Sequence, residues 1–266
     1  MTALQSFLAR HPASMLVEVT VARGSTPRDA GTFMVVAQDG SLWGTIGGGQ
    51  LEFIALEHAL GLLAGRDLPD VLDIPLGPEI GQCCGGRTGL RFQRMDDAVA
   101  GELHRRLGEE KEDFRQVAIF GAGHVGQALA AALSPLPFRT SLIESREIDL
   151  TVASGHVTVR RVAMPEAEIS GLSADAAVVI VTHDHALDFL IAAQALARDD
   201  LAYVGMIGSD TKRATFASWL AREGADADLL SRLTLPIGGK TLRDKRPAVI
   251  AALVAAELLS LASIRR

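Results

Sequence analysis

The amino-acid sequence predicts an α/β protein, with a parallel-sheet domain preceded by a smaller mixed α+β domain. Three observations carry that prediction. From Gln116 onward, short apolar runs alternate with helical segments, the pattern of strand–helix–strand units. The first of these runs leads directly into Gly121-Ala122-Gly123-His124-Val125-Gly126 and then a helix, the order that a Rossmann-like domain requires. Before Gln116 the chain is punctuated by glycine clusters and rich in short extended runs.

The elements follow in order. The opening segment MTALQSFLARHPAS has no long apolar core, so it reads as a short helix and not as a signal peptide. Met15 to Val21 alternates and predicts a strand. Arg23 to Arg28 is a loop by its Gly, Ser and Pro content. Phe33 to Ala37 is a strand, Gln38-Asp39-Gly40 a turn, and Ser41 to Ile46 the returning strand. Gly47-Gly48-Gly49 then opens a helix over Leu51 to Leu63, whose apolar residues recur at helical spacing. Val71 to Leu76 and Leu90 to Gln93 are strands flanking the segment Gly81 to Gly86. Arg94 to Arg115 is charged, with Val99, Leu103 and Leu107 at loose helical spacing. It reads as a linker helix and gives the boundaries 1–98, 99–115 and 116–266. Beyond it, strands are predicted at Val117 to Phe120, Thr140 to Ile143, His156 to Val162, Ala176 to Thr182 and Ala202 to Ile207. Helices are predicted at His124 to Leu133, Ala186 to Ala197 and Ser209 to Arg222. A final helix runs from Pro247 to Ile264, with proline in its first turn.

Composition narrows the function classes. The 266 residues carry 26 basic and 32 acidic side chains, a net charge of −6. That argues against a nucleic-acid binder held by bulk positive charge, while an anionic small ligand needs only local donors. The two cysteines are adjacent, which excludes a secreted disulfide scaffold. No stretch of 18 apolar residues lacks a charge, so no membrane span is expected and a cytoplasmic protein is the default.

Several motifs carry chemistry. In the Rossmann fingerprint, Gly121 allows the tight turn, Gly123 lets the backbone approach a pyrophosphate, and Gly126 lets the helix pack on the sheet. The helix opening at His124 offers free N–H groups to phosphate. Glu144, at the end of the next strand, stands where an acidic residue would bond a ribose hydroxyl; Arg146 could instead meet a phosphate. NAD(P) or another nucleotide is therefore a candidate ligand. His183, Asp184 and His185 follow the strand ending at Thr182 and are the nearest acid–base candidates for a hydride-transfer enzyme. Asp184 could equally cap the following helix.

Cys83 and Cys84 are too close in sequence for an unstrained bridge, because their Cα atoms are about 3.8 Å apart across a trans peptide. Free thiols are expected, in a glycine-rich setting with Gln82, Gly85, Gly86 and Arg87. A neighbouring cation lowers a thiol pKa, and a thiolate suits a soft metal or a sulfur-bearing ligand. Gly24-Ser25-Thr26-Pro27-Arg28 offers two hydroxyls and a guanidinium. The run Gly47, Gly48 and Gly49 presents backbone donors at a helix start, an anion site by geometry, with Glu52 behind it as a first-turn charge.

Taken in order, RGSTPRDAG, GTIGGGQLE, QCCGGR, IFGAGHVG, VTHDHALD, VGMIGSDTKR and RLTLPIGG resemble the XdhC family, also called XdhC/CoxI, from about Met15 to Leu259. The resemblance implies an accessory protein, more chaperone than catalyst. It would bind molybdenum cofactor, take part in its sulfuration, and deliver it to an apo xanthine dehydrogenase or a related molybdenum hydroxylase. It also implies that Cys83 and Cys84, with Gln82, Gly85, Gly86 and Arg87, contact the cofactor and its molybdenum. Arg28 and the Gly47 to Gly49 amides are then candidates for the pterin phosphate. A cysteine-desulfurase-type sulfur donor and a homodimer are compatible partners. The alternative is an NAD(P)-dependent oxidoreductase using His183 or His185. Leu235 stands where the family often has cysteine, and Lys240 to Arg246 departs from the usual glycine-bearing loop.

Overall fold

The computed structural model describes residues 2–77, 85–147, 157–239 and 244–262. The chain divides into two compact units, Met1–Leu107 and Gly108–Arg266.

The first unit is a three-layer sandwich. Strands β1 (Ser14–Arg23), β2 (Phe33–Ala37), β3 (Leu42–Gly44), β4 (Val71–Leu76) and β5 (Gly86–Arg94) form an antiparallel sheet in the order β3-β2-β1-β5-β4. Side chains alternate across it. Met15, Val17 and Val19 face helix α2 (Gly49–Leu63), packing with its Leu51, Ala55, Ala59 and Leu62. Leu16 faces the other way, toward helix α1 (Ala3–Arg10) and Val99 and Leu103 of helix α3 (Asp97–Glu112). Thus α3, expected as a linker, places its apolar stripe in the core of the first unit. Thr2 closes α1 with a capping box to Gln5. The returning strand stops at Gly44, whose φ is +80°, and β5 starts at Gly86, earlier than its apolar run suggests.

The second unit is built on β6 (Arg115–Phe120), β7 (Phe138–Glu144), β8 (Val157–Arg161), β9 (Ala177–Ile180), β10 (Tyr203–Met206) and β11 (Leu233–Thr234). All pair in parallel, in the order β11-β10-β9-β6-β7-β8. Helices α4 (His124–Leu133) and α7 (Pro247–Ala262) cover one face, meeting Val117, Ile119, Ala177 and Val179. Helices α5 (His185–Ala197) and α6 (Asp210–Arg222) cover the other, meeting Ala118, Phe120, Val178 and Ile180. Burial on both faces explains why β6 and β9 read as unbroken apolar runs. The order reverses between β6 and β9, a switch point of the kind at which open α/β sheets take ligands.

Candidate functional site

In the first unit, β1 and β3 end, and β5 begins, at the same edge of the sheet. The three glycine loops singled out from sequence converge there. A Cβ on Gly86 would lie 2.2 Å from the Ser25 carbonyl oxygen and 2.8 Å from that of Arg23. Ser25 and Gly85 form an isolated bridge. A Cβ on Gly47 would lie 2.4 Å from Cβ of Pro27 and 3.6 Å from Cγ of Arg28. Glycine at 47 and 86 is thus what allows loop 24–28 to pack between the other two.

The charged members are distributed unequally. Arg87 donates its Nε–H to Asp73 at 2.6 Å, with both side chains more than half exposed. This bond raises the Arg87 pKa and lowers that of Asp73. Arg28 is exposed and has no ion-pair partner among the described residues. At the start of α2, Gly47, Gly48 and Gly49 all have positive φ. The carboxylate of Glu52 already sits there, accepting from Ile46 N–H at 3.0 Å and from the Thr45 hydroxyl. Burial pushes the Glu52 carboxyl up, but the Thr45 hydroxyl and the Ile46, Gly48 and Gly47 amides outweigh it and lower the pKa. The anion held by this loop is therefore the chain's own. Gln82, Cys83 and Cys84 lie outside the described residues and directly precede Gly85 in sequence.

In the second unit the fingerprint glycines divide by role. Gly121 has φ +108°, and a Cβ there would lie 2.6 Å from the Val181 carbonyl oxygen. A Cβ on Gly126 would lie 1.9 Å from the Gly121 carbonyl oxygen. Both glycines are demanded by the packing of strand, turn and α4. Gly123 differs: a Cβ there would meet nothing within 4 Å, and no side chain caps the first turn of α4. His124, at that first turn, is exposed.

Glu144 is buried, and both its carboxylate oxygens are engaged. Oε2 accepts from Ala122 N–H at 2.9 Å and Arg146 Nη2 at 3.1 Å. Oε1 accepts from the amides of Ser145 and Arg146 at 3.0 and 3.1 Å, and from Arg146 Nε at 3.1 Å. Burial alone would raise this carboxyl, yet the guanidinium and the amides hold it at about 2. The residue placed by sequence at the ribose position thus spends its acceptors on the glycine loop and on its neighbour two residues ahead.

After β9, Asp184 caps α5 by accepting from Ala186 N–H at 2.8 Å, while His183 and His185 are exposed. Two polar links escaped the sequence reading. Asp188 is fully buried and accepts from Thr182 Oγ1 at 2.6 Å and from Lys212 Nζ. Lys212 also donates to the Ile207 carbonyl at 2.9 Å, so the pair ties together the loops that leave β9 and β10. The signal was present: Asp188 is the lone acid of the apolar helix α5. Glu257 accepts from Tyr203 Oη at 2.8 Å and Gly238 N–H at 3.0 Å, fixing the turn after β11; desolvation chiefly raises the Tyr203 pKa. Among the described residues, no group of three or more His, Cys, Asp or Glu could hold a metal ion. No helix among them is long and apolar enough to cross a membrane.

These features define a Rossmann-type domain that follows, in sequence, a small antiparallel domain with converging glycine loops. The chain belongs to the XdhC family: the XdhC Rossmann domain matches residues 117–258, and the XdhC and CoxI family matches residues 8–73. It is 28% identical over 255 residues to the uncharacterized protein YqeB of Escherichia coli K12, covering 92% of this chain but only 42% of that protein. The chain thus spans under half of that relative's length. Its fold is also similar to that of a solved structure described as a xanthine dehydrogenase from Bacillus halodurans. There the TM-score is 0.76 with 19% identity, over 99% of this chain and 96% of the other.

Proposed function

We propose that this protein is an accessory factor that binds molybdenum cofactor and delivers it to a xanthine dehydrogenase-type molybdoenzyme. The observation that carries the reading is the convergence of loops 24–28, 47–49 and 85–87 at one end of the sheet, the last of them directly following the Gln82-Cys83-Cys84 segment in sequence. Membership of the XdhC family supports the same direction. In this reading a thiolate of Cys83 or Cys84 holds molybdenum or its terminal sulfur, because thiolates are soft donors. Arg28 supplies a charge-assisted fork for the pterin phosphate. The Gly47 to Gly49 amides join it only when Glu52 leaves them. A cysteine desulfurase-type donor would supply sulfur, and an apo-molybdoenzyme would receive the cargo.

The test is the molybdenum and pterin content of wild type and of a Cys83→Ala/Cys84→Ala variant, both purified from a cofactor-producing host. The wild type is expected to retain cofactor and the variant to lose at least tenfold. Equal retention removes the thiols from the scheme, and an empty wild type refutes the carrier reading. The Rossmann strand order and glycine fingerprint favour a second reading, an NAD(P)-dependent oxidoreductase, which a turnover assay with NAD(H) and NADP(H) would reveal.

A further inference from the structure

Within the second unit, a cavity of about 690 Å³ is walled by apolar side chains from four separate segments. Val125 comes from α4, Ile207 from the loop after β10, Pro236 and Ile237 from the turn after β11, and Ile250 and Leu253 from α7. Ile237 is buried, and the other five are only partly covered. Single exposed apolar residues are ordinary, whereas a set gathered around one void is the mark of a ligand-binding groove. Sites for small organic molecules typically occupy about 300–1,000 Å³ and combine such walls with a few polar groups.

The polar groups of the lining decide the class of ligand. Its charged members are Asp210, Asp244 and Lys245. Both oxygens of Asp244 accept from Arg246, at 3.1 and 2.9 Å from Nε and at 2.6 Å from Nη2. Asp210 is engaged as well. Lys245 is exposed and has no ion-pair or hydrogen-bond partner among the described residues. The Ser209 hydroxyl caps α6 by accepting from Lys212 N–H at 3.4 Å, and it keeps its own proton to donate. The described lining thus offers one uncompensated positive charge and no open carboxylate.

The structure assigns this cavity to a hydrophobic organic monoanion, with an apolar body against Val125, Ile207, Ile250 and Leu253 and one carboxylate or sulfonate head paired to Lys245. An ammonium–anion contact is charge-assisted and stronger than a neutral hydrogen bond. The walls add affinity with the apolar area they cover. A polar heterocycle is disfavoured, because its N–H groups would lose water and find the two aspartates already bonded. The inference goes beyond the carrier reading and uses neither the cysteines nor any of the glycine loops assigned to it.

The test is fluorescence titration of the full-length protein with anilinonaphthalene sulfonate and with phenylnaphthylamine, which has the same rings without the sulfonate. The sulfonate is expected to bind one-to-one and at least fivefold more tightly than its neutral twin. Lys245→Ala, a change at an exposed side chain, should bring the two within twofold of each other and leave the neutral probe's affinity as it was. Leu253→Trp puts an indole into the cavity and should weaken both probes at least tenfold. Val125→Phe makes the same test from α4 if the tryptophan variant does not fold. The inference is overturned if the sulfonate does not bind, if the neutral probe binds as tightly, if Lys245→Ala leaves the preference intact, or if the filled cavity keeps wild-type affinity. These outcomes are independent of cofactor retention in the cysteine variant.

Discussion

Replacing Glu144 with glutamine tests how the glycine loop of the second unit is held. The substitution keeps the shape but removes the charge and puts an NH₂ where one oxygen accepted hydrogen bonds. Holding this carboxyl at about 2 instead of 4.5 corresponds to about 3 kcal/mol of preference for its charged form in the folded state. That is a ceiling, because the amide oxygen of glutamine can still accept from Ala122 or Arg146. The sign follows from the folded pKa lying below the unfolded one. The contribution is complete above about pH 5 and is lost as pH falls toward about 2. Denaturant unfolding of wild type and Glu144→Gln at pH 7, 5 and 3 should therefore give a gap of up to about 3 kcal/mol at pH 7 that shrinks to less than half at pH 3. The matching thermal shift is about 2–4 °C for each kcal/mol in a unit of this size. A gap below about 0.5 kcal/mol at pH 7, within the scatter of ordinary surface changes, would refute the argument. So would a gap that does not narrow on acidification.

Asp188→Ala would leave Lys212 buried without its carboxylate, at a cost of about 3–5 kcal/mol; thermal unfolding checks this, and Asp188→Ala/Lys212→Met should recover much of the loss. Gly86→Ala would press a methyl into the Ser25 and Arg23 carbonyls. Loss of about 1–3 kcal/mol is expected, read by denaturant unfolding; on the proposed carrier function, molybdenum content falls alongside it.

The parallel sheet was legible because its central strands are buried on both faces, which writes each as a short apolar run between helices. β11 was not, since Leu233–Thr234 is too short for any period to show. Loop identity was also legible: clusters such as Gly47-Gly48-Gly49 exceed what single turns require. Their meeting was not, because the contact of Gly86 with Ser25 depends on the register of β1 against β5, and no local pattern encodes that pairing. Glu144 shows the opposite limit. Sequence placed it correctly at the end of the second Rossmann strand, and the fold then gave its oxygens to donors from its own chain. The acid expected to bond a ribose is bonded here by Arg146, two residues on. The fingerprint at Gly121 to Gly126 therefore reports the packing of strand, turn and helix at Gly121 and Gly126, while a Cβ on Gly123 would meet no atom within 4 Å. Gly121→Ala and Gly126→Ala are therefore expected to lower the melting temperature of the second unit, and Gly123→Ala to leave it unchanged.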